Sequence, residues 1–255
     1  MTVDTDLDEE QQIQEAQYEF PYHYIPELDH NGTFSQTRQW PWGYRYMAGI
    51  QVVIDQLEKV EFNSIIDIGC GDGRFLHELN KNHSQTDMSG VDYSQRAIDF
   101  ANAMNPIIDF ECGDITEDKL DKQYDVATLI EVLEHIPPDR LTNFIDSCTD
   151  VIKNEGILIL TVPHKNKGIQ AKHYQHFTRD ELTNLLREDC KRMEFFPFDQ
   201  QSRILSLTQK LLGGRGTRYV ITHKNIKSAF WRMYKNRFLY TTENKCSRIC
   251  MVCYL

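Results

Sequence analysis

Three glycines at alternate positions, Gly69, Gly71 and Gly73, follow the isoleucine-rich run Ile65-Ile66-Asp67-Ile68 and precede Arg74-Phe75-Leu76. This stretch constrains the fold more than any other in the chain. An apolar run, a glycine loop and then apolar residues at helical spacing (Phe75, Leu76, Leu79) predict a buried strand, a tight loop and a helix. Glycines let the backbone enter conformations closed to other residues, and the helix start offers unpaired N–H groups to a ligand. The spacing is Gly-x-Gly-x-Gly, not the Gly-x-Gly-x-x-Gly of nicotinamide enzymes, and no Gly-Lys-Ser/Thr follows. The pattern therefore argues against a dinucleotide or a triphosphate as the ligand.

Strand and helix patterns then alternate. Met88 to Asp92 reads as a second strand ended by an acid, 19 residues beyond Gly73, where such folds place a carboxylate for ribose hydroxyls. Ser94 can cap a helix with Ala97, Ile98, Ala101 and Met104 on its apolar face. Ile107 to Glu111, Tyr124 to Ile130 and Ile157 to Val162 supply three more strands, with a helix from Leu141 to Ile152 that Gly156 ends. Five alternations predict parallel strands joined by right-handed crossovers, with ligands at the strands' carboxyl ends. Thr178-x-x-Glu181 is a capping box opening a helix through Leu186. Phe195 to Phe198 and Ile249 to Tyr254 are later strand candidates, and Ile226 to Tyr234 a helix.

The acid-x-Gly-x-Gly-x-Gly block, with Asp92, Gly113-Asp114-Ile115 and the strand through Ile130 behind it, resembles the class I S-adenosylmethionine-dependent methyltransferases. The resemblance covers about residues 63 to 186. It implies a doubly wound, Rossmann-like α/β fold with a mostly parallel seven-stranded sheet and an antiparallel last strand. S-Adenosylmethionine is the implied cofactor. Backbone at Gly69, Cys70 and Gly71 would pack on it, Asp67 would hold its methionyl end and Asp92 its ribose. Asp114 and the N–H of Ile115 would meet the adenine, with Tyr93 and Ile130 completing the cofactor set.

Glu131-x-x-Glu134-His135 follows the fourth strand and, on a helical turn, would put three polar groups on one face. A histidine titrating near neutrality suits the proton removal a hydroxyl acceptor needs, so His135 is the expected base, with Glu134 and His176 in the catalytic set. Glu131, Glu134, His135 and His176 also form a candidate site for Mg²⁺ or another divalent metal, a pattern that resembles the small-RNA 3′-terminal 2′-O-methyltransferases. The His-rich loop ending in Phe-Thr-x-x-Glu-Leu is more similar to methyltransferases of sugar and polysaccharide modification. The first acceptor reading is therefore a hydroxyl on a sugar, glycan or other polar small molecule. RNA ribose comes second, and a catalytically silent methyltransferase-like partner protein third.

The net charge of −10 is unevenly spread: residues 201 to 255 hold 11 Lys plus Arg against one acid, and the first 200 hold 17 against 37. Residues 201–243 read as a basic insertion in a domain spanning 43–255. Residues 1–42 read as an acidic, frayed start and then an aromatic, lid-like segment carrying Tyr18, Phe20, Tyr22, Tyr24, Trp40 and Trp42. No apolar run is long enough to span a membrane and no signal peptide is evident, which predicts a cytoplasmic protein. Seven cysteines, one of them in the glycine loop, predict reduced thiols, and Cys246, Cys250 and Cys253 read as core-strand residues rather than zinc ligands.

Overall fold

The computed structural model describes residues 9–15, 27–28, 34–35, 39–118, 120–213, 221 and 223–255. Most of the aromatic stretch expected as a lid, including Tyr18 to Tyr24, lies outside them. Helix α1 (Glu9–Glu15) occupies part of the expected frayed start, with Glu9 and Glu10 in its first turn, where acids favour a helix. A two-stranded ribbon of β1 (Glu27–Leu28) and β2 (Phe34–Ser35) follows. Helix α2 runs from Gln39 to Leu57, eight residues earlier than the apolar spacing from Met47 indicates. Pro41 is its third residue, so the N–H that proline lacks is one the first turn leaves unbonded anyway.

The main sheet alternates with helices as the sequence predicts. β3 (Ser64–Ile68), α3 (Arg74–Asn80), β4 (Asp87–Asp92), α4 (Gln95–Met104), β5 (Asp109–Cys112), β6 (Tyr124–Ile130), α5 (Leu141–Asp150) and β7 (Ile152–Pro163) form the parallel part. Then come α6 (Arg179–Leu185), β8 (Arg192–Gln200), α7 (Arg203–Leu212), α8 (Lys224–Arg237) and β9 (Cys246–Tyr254). The strand order is β5-β4-β3-β6-β7-β9-β8, and β9 runs antiparallel to both its neighbours. This is the seven-stranded sheet with an antiparallel last strand that the resemblance implies.

Alternate residues of the strands feed two cores. Ile65, Ile157 and Ile159 pack on one face with α2 and α8, while Ile66, Leu158 and Leu160 pack on the other with α5 and α6. Helices α7 and α8 occupy the basic stretch between β8 and β9, and α8 reaches the start of α2 through Phe230 and Tyr234 against Tyr44. The expectation of reduced cysteines needs correction, because Cys190 and Cys253 form a disulfide with Cα atoms 5.5 Å apart. Their registry depends on how β8 and the loop before it meet β9, which the cysteine spacing does not reveal. No helix among the described residues is long and apolar enough to cross a membrane.

Candidate active site

Strand β3 ends at Ile68 and the chain turns through three left-handed glycines, with φ of 73° at Gly69, 54° at Gly71 and 73° at Gly73. A Cβ at Gly69 would come within 2.6 Å of Val132 Cγ2, and one at Gly73 within 2.7 Å of Phe110 Cζ, so both conformation and space call for glycine. The loop is pinned to β4: the amides of Gly69 and Cys70 donate to the Val91 carbonyl, and the Gly71 amide donates to Asp92 Oδ2 at 2.8 Å. Asp92 Oδ1 accepts from the Ser94 amide, and Ser94 caps α4 by accepting from the Ala97 amide. Asp67 is buried one strand away and accepts from Thr128 Oγ1 at 2.7 Å. Burial pushes its carboxyl up to about 7, Thr128 opposes the shift and the charge of Asp92 adds to it.

Ile115 is buried and Tyr93 exposed beyond the end of β4, while Ile130 ends β6. Asp114 holds its own turn, its Oδ1 accepting from the Thr116 amide and hydroxyl at 2.9 and 2.7 Å. Cys70 is buried in the loop, and burial raises its thiol well above the usual range.

The turn after β6 differs from a helical face. Glu131 takes a left-handed backbone, φ 58°, while its amide still donates to the Thr161 carbonyl of β7. The helical turn begins only afterwards, as a single 3₁₀ turn Leu133–His135 anchored by buried Leu133. Glu131 therefore does not share a helix face with Glu134 and His135. Glu134 is fully buried and neither carboxylate oxygen has a hydrogen-bond partner among the described residues; Glu131 Oε1 is in the same condition. Burial and then the charge of Glu131 hold the Glu134 carboxyl well above its ordinary range.

One ligand atom each from Glu134, His135 and His173 lies within 4.8 Å of the others, the metal-sized group found among the described residues. His176, expected as a ligand, instead stands behind His173. A carbonyl can only accept, so His176 Nδ1–H donates to Lys167 O at 2.9 Å, and its bare Nε2 accepts from His173 Nδ1–H, also at 2.9 Å. His135 Nδ1–H likewise donates to Lys172 O at 2.8 Å. The Nε2 lone pairs of His135 and His173 are both left for the cluster. Burial lowers all three imidazoles, His135 to about 4 and His173 to about 2, so they are neutral at pH 7.

His173 belongs to the His-rich loop of the sequence, where only His176 is assigned a role. The histidine pair three residues apart was the available signal; the choice between them depends on a loop path that sequence spacing does not encode. The sequence reading also missed four cations: Lys167, Lys172 and Arg248, each within electrostatic reach of Glu131 or Glu134, and Arg45, which joins them through Asp199. Lys167 and Lys172 lie in the loop after β7, Arg248 at the start of β9 and Arg45 in α2. Burial lowers both ammonium groups, with Glu131 opposing at Lys167 and Glu134 at Lys172. At Arg248 burial is outweighed by Glu131 and Asp199.

Residues 65–156 match the family described as "Methyltransferase domain". The chain is 28% identical over 120 residues to a ubiquinone biosynthesis O-methyltransferase of Shewanella halifaxensis, covering 44% of this chain and 49% of the relative. Matches to the first curated relatives span only about a quarter to a half of those proteins' lengths. Among solved structures, a SAM-dependent methyltransferase from Archaeoglobus fulgidus superposes with a TM-score of 0.58 at 18% identity, covering 83% of this chain and 94% of that one. The N-methyltransferase NodS from Bradyrhizobium japonicum WM9, in complex with S-adenosyl-L-homocysteine, gives 0.60 at 18% identity, with 76% and 93% covered. These structural likenesses show a shared fold.

Proposed function

We infer that this chain, which has the class I S-adenosylmethionine-dependent methyltransferase fold, moves a methyl group from S-adenosylmethionine to a hydroxyl of a polar small molecule. The observation that carries the acceptor chemistry is the Glu134–His135–His173 cluster beside the glycine cradle, at the carboxyl ends of the parallel strands. The glycine loop supports that cofactor: backbone at Gly69, Cys70 and Gly71 would pack on it, with Asp67 toward the methionyl group and Asp92 toward the ribose. Tyr93, Ile115 and Ile130 would border the adenine and the reacting end, and Asp114 would add to the adenine side. When bound, S-adenosylmethionine would supply an electrophilic methyl for an acceptor oxygen, leaving as S-adenosylhomocysteine, and the acceptor would give up a proton.

The chain's own residues orient the acceptor and receive that proton. His135 Nε2 and His173 Nε2 are unprotonated acceptors, but their low basicity makes each a weak base alone. Glu134 has two oxygens without a hydrogen bond among the described residues, a costly arrangement in a buried setting unless something positive joins it. One carboxylate and two imidazole nitrogens with fixed tautomers fit a divalent transition ion better than Mg²⁺, which prefers oxygen ligands and bound water. Such an ion would supply Lewis acidity toward a hydroxyl. Glu134, His135 and His173 would hold it, with His176 orienting His173 and Glu131 nearby. A ubiquinone O-methyltransferase among the relatives supports oxygen as the acceptor atom.

Calorimetric titration with S-adenosylhomocysteine, then with Mn²⁺, Co²⁺ or Mg²⁺, tests both halves. Cofactor binding should survive every histidine substitution. Mn²⁺ or Co²⁺ binding should be lost in His173→Ala and weakened roughly 10- to 100-fold in His176→Ala, the range for residues that orient a ligand. No S-adenosylhomocysteine binding would overturn the methyltransferase reading, whereas cofactor binding with no metal heat would leave the histidines as proton acceptors only. The second reading, RNA ribose methylation, uses the same cluster and predicts salt-sensitive RNA binding. Of the basic residues it enlists, Lys224 and Lys227 open α8, and Arg215 and Arg218 lie outside the described residues.

A further inference from the structure

We propose that the methyl acceptor carries an anionic group, a phosphate or a carboxylate, bound by the ammonium of Lys167 in front of the buried guanidinium of Arg248. This rests on the methyltransferase reading and names the substrate class of the same site. The loop after β7 places the cations. Its lysine carbonyls are the ones that His176 and His135 grip, at 2.9 Å for Lys167 and 2.8 Å for Lys172, so the backbone of both lysines is fixed beside the reacting cluster. The Lys167 amide adds a bond to the His164 carbonyl. The Lys167 ammonium itself makes no hydrogen bond or ion pair among the described residues, although Glu131, Asp199, Arg45 and Arg248 are all within electrostatic reach.

Arg248 supplies a fixed wall. It lies on β9 opposite Pro163, at the carboxyl end of β7, and is only 7% exposed. Its guanidinium sits over the Phe198 ring at 4.7 Å, lies 3.7 Å from Asp199 and donates to the Arg45 carbonyl. Gly49 makes room for it, since a Cβ there would stand 3.0 Å from Nη1. Arg45 lies 3.8 Å from the other oxygen of the same Asp199, whose carboxylate also accepts from Tyr234. One carboxylate is thus shared by two guanidinium groups.

Four cations, Arg45, Lys167, Lys172 and Arg248, face two carboxylates, Glu131 and Asp199, with Glu134 biased toward its neutral form. In a chain of net charge −10, this acceptor side carries an excess of positive charge in a partly desolvated place. Partly buried cations favour an anionic partner, and a lysine ammonium accommodates phosphate or carboxylate as a point charge.

Inorganic phosphate serves as the probe. The full chain saturated with S-adenosylhomocysteine should bind one phosphate by calorimetry. Lys167→Gln should weaken that binding at least tenfold, Lys167→Arg should largely restore it, and Arg187→Gln, an exposed control past α6, should leave it unchanged. S-Adenosylhomocysteine affinity should be the same in all four proteins. Retained cofactor binding with no phosphate binding, or with phosphate binding insensitive to Lys167→Gln, overturns the proposal while the methyltransferase reading stands. Failure to bind S-adenosylhomocysteine would remove the reading beneath it. Binding of a single-stranded RNA that Lys167→Gln does not weaken, with free phosphate silent, would also overturn it in favour of an extended polyanion.

Discussion

Asp67 sits two residues before the first glycine, 2% exposed, with Thr128 as its hydrogen-bond donor and a second acid, Asp92, close enough to oppose its ionisation. Its carboxyl is raised from 3.8 to about 7 in the folded protein without cofactor, so between those values the folded state holds a proton that the unfolded state has released. Stability from this group is full below about pH 4 and is lost as pH rises to 7, by about 4 kcal/mol at most for a shift of that size. Asp67→Asn should flatten this slope and leave the cofactor-free protein more stable than wild type at pH 7.5. Its proposed role toward the methionyl ammonium adds a weakening of S-adenosylhomocysteine binding by roughly tenfold or more. Urea unfolding from pH 4 to 8 measures the first effect, and a slope unchanged by the substitution would show that Asp67 ionises normally. Asp67 and the glycines were legible in the sequence because their signal is local: an acid and a φ > 0 requirement within a few residues of a strand end. His173 was not, since its tautomer and direction are set by His176, which the Lys167 carbonyl orients in a loop folded back on itself.

Helix α6 follows that loop directly, and its start is a complete capping box. Thr178 Oγ1 accepts from the Glu181 amide at 3.3 Å, and Glu181 Oε2 accepts from the Thr178 amide at 2.9 Å. Lys165 also pairs with Glu181, tying the first residues of the loop to the helix that ends it. Thr178→Ala should cost about 1 kcal/mol, the usual loss for an N-cap, in urea-induced unfolding. Phe177 is held independently by its burial and by donation to the Pro163 carbonyl, so S-adenosylhomocysteine affinity should not change. A loss well above 2 kcal/mol would mean the cap also supports the histidine loop. The box is readable as Thr-x-x-Glu, and so were most strands and helices, because period two and period 3.6 are properties of short windows. Helix α7 escaped that reading: only Leu205 is buried, while Ile204, Leu207 and Leu211 face outward, so its apolar stripe does not point to the core. Glu131 was misread for the opposite reason, since a left-handed residue breaks helical spacing without altering the sequence pattern.

Across the whole molecule, the sheet's order follows from alternation and crossover rules, but the pairing of β9 between β7 and β8 brings together residues far apart in sequence. The disulfide depends on it: Cys253 lies opposite both Leu158 and Met193, and Cys190 is bonded to it across 63 positions. The closed segment contains β8, α7, α8 and most of β9, so the link restricts the unfolded chain over about a quarter of its length. In the chain-entropy picture, a loop of this size is stabilised by about 4 kcal/mol, and removal of such a link typically costs about 2–4 kcal/mol. Cys190→Ser is the better probe, because Cys253 is fully buried in β9, one strand in from the sheet edge, while Cys190 is partly exposed. The variant should unfold at lower urea by that margin, dithiothreitol should bring wild type down to it, and reductant should do nothing further to the variant. Leu158 lies in the middle of β7, five residues before Pro163, which is opposite Arg248 and ends the strand at the candidate site. S-Adenosylhomocysteine should therefore bind the reduced and oxidised proteins equally. Unfolding of wild type that ignores dithiothreitol would mean that the pair is not bonded in solution. A cofactor affinity that changed with reduction would instead show that β9 transmits the link from one end of the sheet to the other.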